Sequence, residues 1–174
     1  MSNVSAMSPP YPGPSDDALA QIPAVLTQRD QWVLWRGVSV TDSHGVQHVS
    51  KRPIDAQVLT YASSTDPMTW HPFAQCVAAL PLALEEWQLD TAVPYAGGGV
   101  GYVLDADDPY CGIDLDDCVD AVTGIIAPWA QAIVDAMNSY TEITPSQQGL
   151  RIFVEATLPP SGRKKGSREL YTSG

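Results

Sequence analysis

The chain has 174 residues, of which 44% are hydrophobic, so it can bury one core but is short for two full domains. Its formal net charge of −11 argues against a protein that coats nucleic acid nonspecifically, because affinity for phosphates comes mainly from lysine and arginine. Its three cysteines form no Cys-x-x-Cys pair and leave one unpaired in any disulfide scheme, which favours a reducing compartment. The N-terminus has neither a positive cluster nor a continuous apolar run. The sequence therefore predicts no secretory signal or membrane anchor, and a cytoplasmic location.

The N-terminal third is predicted to contain a leader and a β-hairpin. Residues 1–17 are rich in proline, serine and glycine, which predicts a disordered leader before a single domain over residues 18–174. Residues 31–40 are rich in β-branched and aromatic side chains and are predicted to form a strand that turns into a second strand near residues 47–53. Trp32 and Trp35 are three residues apart, so they point to opposite faces of the predicted strand and one of them is expected to be exposed. That tryptophan could stack on a base, but packing against the protein is the simpler interpretation.

A helix is predicted to follow this hairpin. Ser64-Thr65-Asp66-Pro67 has the pattern of a helix start, with a capping side chain ahead of proline at the first helical position. Apolar residues at helical spacing continue as far as Leu80. Pro81 is expected to end or kink the helix before a second piece over residues 84–87.

Two aspartates one residue apart, Asp114 and Asp116, lie on the second strand of another predicted hairpin. A buried strand over residues 100–104 precedes them, and a turn is expected to return the chain antiparallel over residues 111–115. Apolar residues alternate with the aspartates, so both carboxylates are predicted to point off one face. Residues i and i+2 of a strand are about 6.5–7 Å apart, near enough for their carboxylates to converge on divalent cations. A solvated acidic turn is the alternative interpretation.

The charges of the C-terminal half are segregated. Seven aspartates fall between Asp105 and Asp120, and five of the nine basic residues fall at or after Arg151. An acidic cluster followed by a basic one suits a site where metals mediate between carboxylates and phosphates. A solvated acidic hairpin and an unrelated basic loop would give the same pattern. Between these clusters, an amphipathic helix is predicted over residues 126–140, then strands over residues 141–144, 150–154 and 169–171.

Several stretches, in this order along the chain, carry a family resemblance. They are Trp32-Val33-Leu34-Trp35, Lys51-Arg52-Pro53, Ala62-Ser63-Ser64-Thr65-Asp66-Pro67-Met68-Thr69-Trp70, Gly112-Ile113-Asp114-Leu115-Asp116, the run from Tyr140 to Phe153 that contains Ser146-Gln147-Gln148-Gly149-Leu150-Arg151, and finally Gly162-Arg163-Lys164-Lys165-Gly166 with Glu169-Leu170-Tyr171. From about residue 22 onward the chain resembles the primase-polymerase domain of phage and plasmid replication proteins in the archaeo-eukaryotic primase superfamily.

The resemblance implies an α+β fold. An antiparallel, RRM-like sheet would carry an acidic metal site, with helices packed behind it and a small N-terminal α/β section beside it. In this family the strand after the third acid normally continues through more sheet, so the domain over residues 18–174 is expected to be truncated at its C-terminus.

The implied activity is template-directed nucleotidyl transfer, in which primers are made or extended from nucleoside triphosphates on single-stranded DNA with Mg²⁺ or Mn²⁺. The family's metal-binding acids match Asp114, Asp116 and Glu169. The implied nucleotide-binding residues are Ser146, Gly149, Arg151 and Lys165, and the implied nucleic-acid-binding residues are Arg163, Lys164 and Arg168; a solvated loop is the alternative for any one of these basic residues. A helicase in cis or in trans is a further implied partner, and no membrane is expected.

Arg151 departs from the family pattern, which commonly has a histidine at this position that contacts the nucleotide's phosphates. Arginine is permanently charged and offers forked donors, so it can hold a phosphate, but it cannot shuttle a proton near neutral pH. Pairing of Arg151 with Glu142 or Glu155 across adjacent strands is a structural alternative. A catalytically inactive nucleic-acid or replisome-binding module and a metal-dependent nuclease are the competing functions.

Overall fold

The protein is described by a computed structural model that covers Tyr11, residues 13–157 and residues 163–172. Two antiparallel sheets lie side by side, with strand order β2-β1-β3 in the first and β5-β6-β4-β8-β7 in the second. Each sheet packs a helix on one face. No helix within the described ranges is long and apolar enough to cross a membrane.

The first sheet contains β1 (Trp32–Thr41), β2 (Gln47–Ile54) and β3 (Tyr95–Tyr102). β1 and β2 form the predicted hairpin, whose turn is closed by Asp42: its carboxylate accepts from the His44 and Val46 amides at 2.8 and 2.9 Å. Trp32 is buried in the core, whereas Trp35 is half-buried on the opposite side of the strand.

β3 pairs with β1 and not with the aspartate strand, so the predicted hairpin over residues 100–115 is wrong. The glycines of β3 explain this pairing, because they allow tryptophans to lie flat on its backbone. A Cβ at Gly98 would lie 2.7 Å from the Trp87 ring, and one at Gly99 would lie 2.9 Å from the indole nitrogen of Trp35. Asp108, in the segment that leaves β3, is tied to Arg29 at 2.7 Å, which anchors the crossing to the second sheet.

α1 (Asp16–Ala20), α2 (Ala24–Thr27) and α3 (Phe73–Leu89) accompany the first sheet. α1 begins inside the range predicted as a disordered leader, because the Ser15 hydroxyl accepts from the Ala18 amide at 3.2 Å and caps the helix. The predicted start at Pro67 is a single 3-10 turn, Pro67–Thr69, capped by Asp66.

α3 runs through Pro81 as one continuous helix, so the prediction that this proline ends the helix is wrong. An interior proline costs about 3 kcal/mol because it removes a hydrogen bond and crowds the preceding turn. Burial of one helix face against the first sheet offsets that cost. The buried side chains of this face are Cys76, Leu80, Ala83 and Trp87.

The second sheet contains β4 (Tyr110–Leu115), β5 (Thr141–Ile143), β6 (Leu150–Glu155), β7 (Arg163–Lys165) and β8 (Arg168–Tyr171). α4 (Pro128–Met137) covers one face of it, over a core that includes Ile113, Leu115, Leu150, Ile152 and Ala130. β7 lies in the segment predicted as a basic loop. A two-residue turn with Gly166 at φ +59° reverses the chain there and pairs the basic residues with β8.

Candidate active site

A row of five charged residues crosses the second sheet, one from each strand, and is called the charged row below. In strand order it consists of Glu142, Arg151, Asp114, Glu169 and Lys164, each directly opposite the next in register. Directly opposed residues of antiparallel strands present their side chains on the same face. The alternating residues Ile113 and Leu115 pack on the α4 side, so the charged row lies on the other face.

Asp114 lies at the centre of the charged row and is held by two side chains. The Arg151 guanidinium donates from Nε to Oδ1 at 2.8 Å and from Nη2 to Oδ2 at 3.1 Å, which is a bidentate ion pair. The Tyr171 hydroxyl donates to Oδ1 at 3.3 Å. Gly112 makes room for this contact, because a Cβ there would lie 2.6 Å from the Tyr171 ring.

The environment fixes the protonation of both donors. Burial disfavours the charge on Arg151, but the hydrogen bonds and charge of Asp114 outweigh burial and raise the pKa of Arg151 above its ordinary value. Burial raises the pKa of Tyr171, and the Asp114 carboxylate adds to that shift. Tyr171 therefore remains a hydroxyl donor, and Arg151 remains a cation, at any physiological pH.

Glu169 lies directly opposite Asp114 on the neighbouring strand, so the structure brings these two predicted acids together. Its carboxylate is paired with Lys164 at 3.0 Å, in an exposed ion pair whose hydrogen bond raises the pKa of Lys164. Asp116 lies one residue beyond the end of β4, where its amide donates to the Ser167 carbonyl at 2.8 Å and its side chain is exposed. Among the residues that the structure describes, no three acids, histidines or cysteines are already gathered into a metal site.

Ser146 and Gly149 lie in the turn between β5 and β6, at the Asp116 end of the sheet. The Ser146 hydroxyl is exposed and hydrogen-bonds with the Thr144 hydroxyl at 2.9 Å. A Cβ at Gly149 would lie 2.9 Å from the Leu115 carbonyl, so only glycine lets the turn approach β4 this closely. The turn is thereby fixed beside the strand that carries the aspartates.

Of the predicted basic residues in the C-terminal segment, only Lys164 lies on the charged row. Arg163 is opposite Leu170 in register, and Lys165 is opposite Arg168, which places all three basic side chains on the α4 side of the sheet. The Arg168 guanidinium lies 4.8 Å from the centre of the Trp129 ring on α4. Of these four residues, strand alternation therefore brings only Lys164 to the face that carries the acids. Gly162, the predicted start of that loop, lies outside the described residues.

A cleft of about 400 Å³ separates the charged row from the first sheet. One wall carries Asp114, Arg151, Glu169 and Tyr171, and the facing wall carries Val33, Pro53, Ser64, Val103 and Leu104. A polar, charged wall therefore faces a largely apolar one, the usual form of a site that takes an organic ligand with a charged end.

Sequence reasoning missed the parts played by Tyr171 and Glu142. Tyr171 appears in the sequence only as the end of a motif, and its contact with Asp114 depends on Gly112, which lies directly opposite Tyr171 on β4. Glu142 was considered only as a partner for Arg151. The side chains of a strand alternate between its two faces, so Glu142 points away from the face of Thr141 and Ile143 on β5. In the sheet, this is the face that also carries Arg151.

No protein-family model matches the chain. A curated DNA primase-polymerase of Nitratiruptor phage NrS-1 is 31% identical to it over 164 residues. This similarity supports a primase-polymerase domain. The match covers 90% of this chain and 20% of the relative, so the chain spans about a fifth of the length of that primase-polymerase. The α+β architecture with antiparallel sheets is compatible with the primase-polymerase fold.

Proposed function

We propose that this domain is a template-directed nucleotidyltransferase that makes or extends primers from nucleoside triphosphates on single-stranded DNA. The observation that carries the proposal is the direct register pairing of Asp114 and Glu169 on neighbouring strands, beside Arg151 in one cleft. The name of the phage relative, a DNA primase-polymerase, supports the same activity. A helicase partner and a cytoplasmic location stay predictions.

The donor set fits Mg²⁺ or Mn²⁺, because both prefer carboxylate oxygens. Asp114 and Glu169 would hold the cations, with Asp116 joining from the end of β4. Two cations bound there would lower the pKa of the attacking hydroxyl and neutralise charge on the leaving pyrophosphate. Arg151 and Lys164 balance the two acids in the present arrangement and must release them when cations bind.

The residues of the chain then act mainly by position and charge. Arg151, once released from Asp114, offers its forked donors to the triphosphate, and Ser146 offers a hydroxyl from the turn. Tyr171 keeps the Asp114 carboxylate oriented through its hydroxyl. In the reaction, the primer's 3′ oxygen forms a bond to the α-phosphorus, and the bond from that phosphorus to the bridging oxygen breaks. Pyrophosphate leaves with that oxygen, and the hydroxyl proton passes to solvent.

The test is primer synthesis and extension on a single-stranded template, with labelled nucleotides and Mn²⁺ or Mg²⁺. Asp114→Asn and Glu169→Gln are expected to lower product formation by about 100-fold or more, because each removes a charge at the reacting centre. Asp117→Asn is the matched control, since Asp117 is an exposed neighbour beyond β4 with φ +52°, a conformation that asparagine tolerates. Thermal unfolding of each variant checks that the fold persists.

Three outcomes would contradict the proposal. Equal product from Asp114→Asn and the parent would exclude this carboxylate from the reaction. Binding of single-stranded DNA without any product would favour the inactive binding module, for which the pairing of Asp114 with Arg151 is the supporting observation. Shortening of the template in the absence of nucleotides, lost in Asp114→Asn, would identify a nuclease.

A further inference from the structure

Asp108 is a buried acid that the proposed reaction does not use. It lies in the segment that connects the two sheets, two residues before β4 begins, and its side chain is only 3% exposed. A carboxylate removed from water is stable as an anion only where positive charge and hydrogen bonds replace the lost hydration. The groups that pair with Asp108 are therefore the groups that hold this connecting segment in place.

Four donors surround the Asp108 carboxylate, and they are called the Asp108 network below. Oδ1 accepts from the Arg29 guanidinium at 2.7 Å, and Oδ2 accepts from the Gln31 amide nitrogen at 2.8 Å and the Tyr102 hydroxyl at 3.2 Å. The Asp105 backbone amide also donates to Oδ2, at 3.0 Å. Burial and the charge of Asp108 raise the pKa of Tyr102, so its hydroxyl remains a donor at physiological pH.

The Asp108 network joins the start of the second sheet to the first sheet. Arg29 and Gln31 precede β1, and Tyr102 ends β3, so these three donors belong to the first sheet. Asp108 itself leads into β4, whose first residue, Tyr110, has its ring centre 5.2 Å from the Arg29 guanidinium. Among the described residues, no strand of the first sheet pairs with a strand of the second. The joint between the sheets therefore depends on side chains.

Tyr102 connects this joint to the cleft. Its ring lies edge-on to Trp32 of β1, with centroids 5.3 Å apart, and edge-on to Phe153 of β6, with centroids 6.0 Å apart. Tyr102 thus contacts both sheets while Asp108 holds its hydroxyl. It also lines the cleft that contains Asp114. A rotation of one sheet against the other at this ring would change the distance between the two walls of the cleft.

We propose that Asp108 is a positioning residue, which fixes the angle between the two sheets and hence the distance between the walls of the cleft. The charged row forms one wall and the first sheet contributes to the other. A substrate that contacts both walls is therefore aligned at only one separation of the sheets. The importance of this alignment for primer synthesis rests on the proposed function, whereas the fixed angle rests on the contacts of Asp108.

The experiment measures the distance between the two sheets by pulsed electron paramagnetic resonance, without substrate or turnover. Spin labels are attached to Leu82→Cys on α3 and Met137→Cys on α4, because both positions are exposed and the two helices pack on different sheets. The three native cysteines are buried, so the labels react with the introduced ones. Asp108→Asn is expected to shift or broaden the distance distribution by about 2 Å or more, the size of a rearrangement between domains.

A second variant and a matched control separate the joint from general stability. Tyr102→Phe keeps the ring between Trp32 and Phe153 but removes the hydroxyl, so a smaller change in the same direction is expected. Asp90→Asn is the control, because Asp90 pairs with Arg36 at 3.0 Å and this pair joins the end of α3 to β1, both on the side of the first sheet. The control should leave the distance distribution unchanged. Thermal unfolding confirms that each variant is folded.

Primer synthesis by the same variants tests the consequence for the reaction. Asp108→Asn is expected to lower kcat by about 10- to 100-fold, because a misplacement of about 1 Å can cost about 100-fold in rate. The KM for nucleotide should change less than kcat, since no group of Asp108 contacts the cleft wall that carries the charges.

An unchanged distance distribution in Asp108→Asn, or an equal change in Asp90→Asn, would overturn the inference. If Asp108→Asn does not fold, a parent-like distribution in Tyr102→Phe has the same consequence. A changed distribution with an unchanged kcat would also overturn the assignment of Asp108 as a positioning residue. A parent that makes no primer, with the expected distances in parent and variants, would contradict the proposed function and leave the fixed angle standing.

Discussion

Replacing Arg151 by glutamine should have opposite effects on the two ligands of the proposed site. Arg151 occupies both oxygens of Asp114, so a divalent cation must compete with it for that carboxylate. Without the guanidinium, Asp114 keeps only the hydrogen bond from Tyr171, and Mn²⁺ should bind more tightly in the absence of nucleotide. The same change removes a phosphate donor, so triphosphate should bind more weakly.

The size of the effect follows from the exposure of the ion pair. The side chains of Arg151 and Asp114 are 32% and 22% exposed, so the pair is neither fully solvated nor fully buried. Exposed pairs contribute about 0.2–1 kcal/mol, whereas breaking buried ones costs about 3–5 kcal/mol. A value of about 1–2 kcal/mol for this pair corresponds to about 5- to 30-fold in Mn²⁺ affinity.

Free Mn²⁺, measured by electron paramagnetic resonance during a titration, reports this affinity directly. Lys164→Gln is the internal comparison, because it frees Glu169 from a pair that is 61% and 41% exposed. It should change Mn²⁺ binding by less than about 5-fold, as expected for a surface pair. If Arg151→Gln leaves Mn²⁺ affinity unchanged or lowers it, competition between arginine and metal for Asp114 is refuted. If Lys164→Gln has the larger effect, the cation site is centred on Glu169.

Three further changes test other contacts. Gly112→Ala should cost about 1–3 kcal/mol of stability in thermal unfolding, because the new Cβ lies 2.6 Å from the Tyr171 ring and displaces it. Asp55→Asn should destabilise the protein by about 1–3 kcal/mol at pH 7, because it removes the carboxylate charge from the 2.7 Å contact of Asp55 with His71. Burial opposes the charge of Asp55, but hydrogen bonds from a backbone amide and His71 lower its pKa, so this contribution is present above about pH 3.8 and lost as pH falls further. Arg151→His should bind triphosphate more tightly at pH 6 than at pH 8, because histidine loses its charge near pH 6.5. This difference in affinity between the two pH values should be larger in the variant than in the parent.

Local sequence patterns predicted which residues form the site better than they predicted which strands lie next to each other. Alternation with Ile113 and Leu115 correctly indicated a strand that exposes Asp114, and the family motif indicated an acid at Glu169. Neither pattern specifies which strand lies next to which. The pairing of β3 with β1 depends on tryptophans that lie against the glycines of β3. Trp35 and Gly99, which make one of these contacts, are more than 50 positions apart in the sequence.

Residues 163–165 are a second case in which local sequence did not predict strand pairing. Arg163, Lys164 and Lys165 were compatible with a basic loop, because Gly162 and Gly166 flank them in the sequence. As an edge strand paired with β8, they alternate like any other strand, and this sends only Lys164 to the face of the acids. Charge alone therefore could not assign these residues to one site, whereas strand register separates them.

Net charge is likewise a poor guide to what this surface can bind. The chain carries −11 overall, yet the charged row contains three carboxylates and two cations, and Lys51 approaches it from the facing sheet. Because Arg151 does not titrate near neutral pH, its release from Asp114 depends on the concentration of competing cations rather than on protons. A histidine at this position would couple that release to pH. In the proposed mechanism, divalent cations would therefore displace Arg151 from Asp114, and the released guanidinium would then be available to the triphosphate.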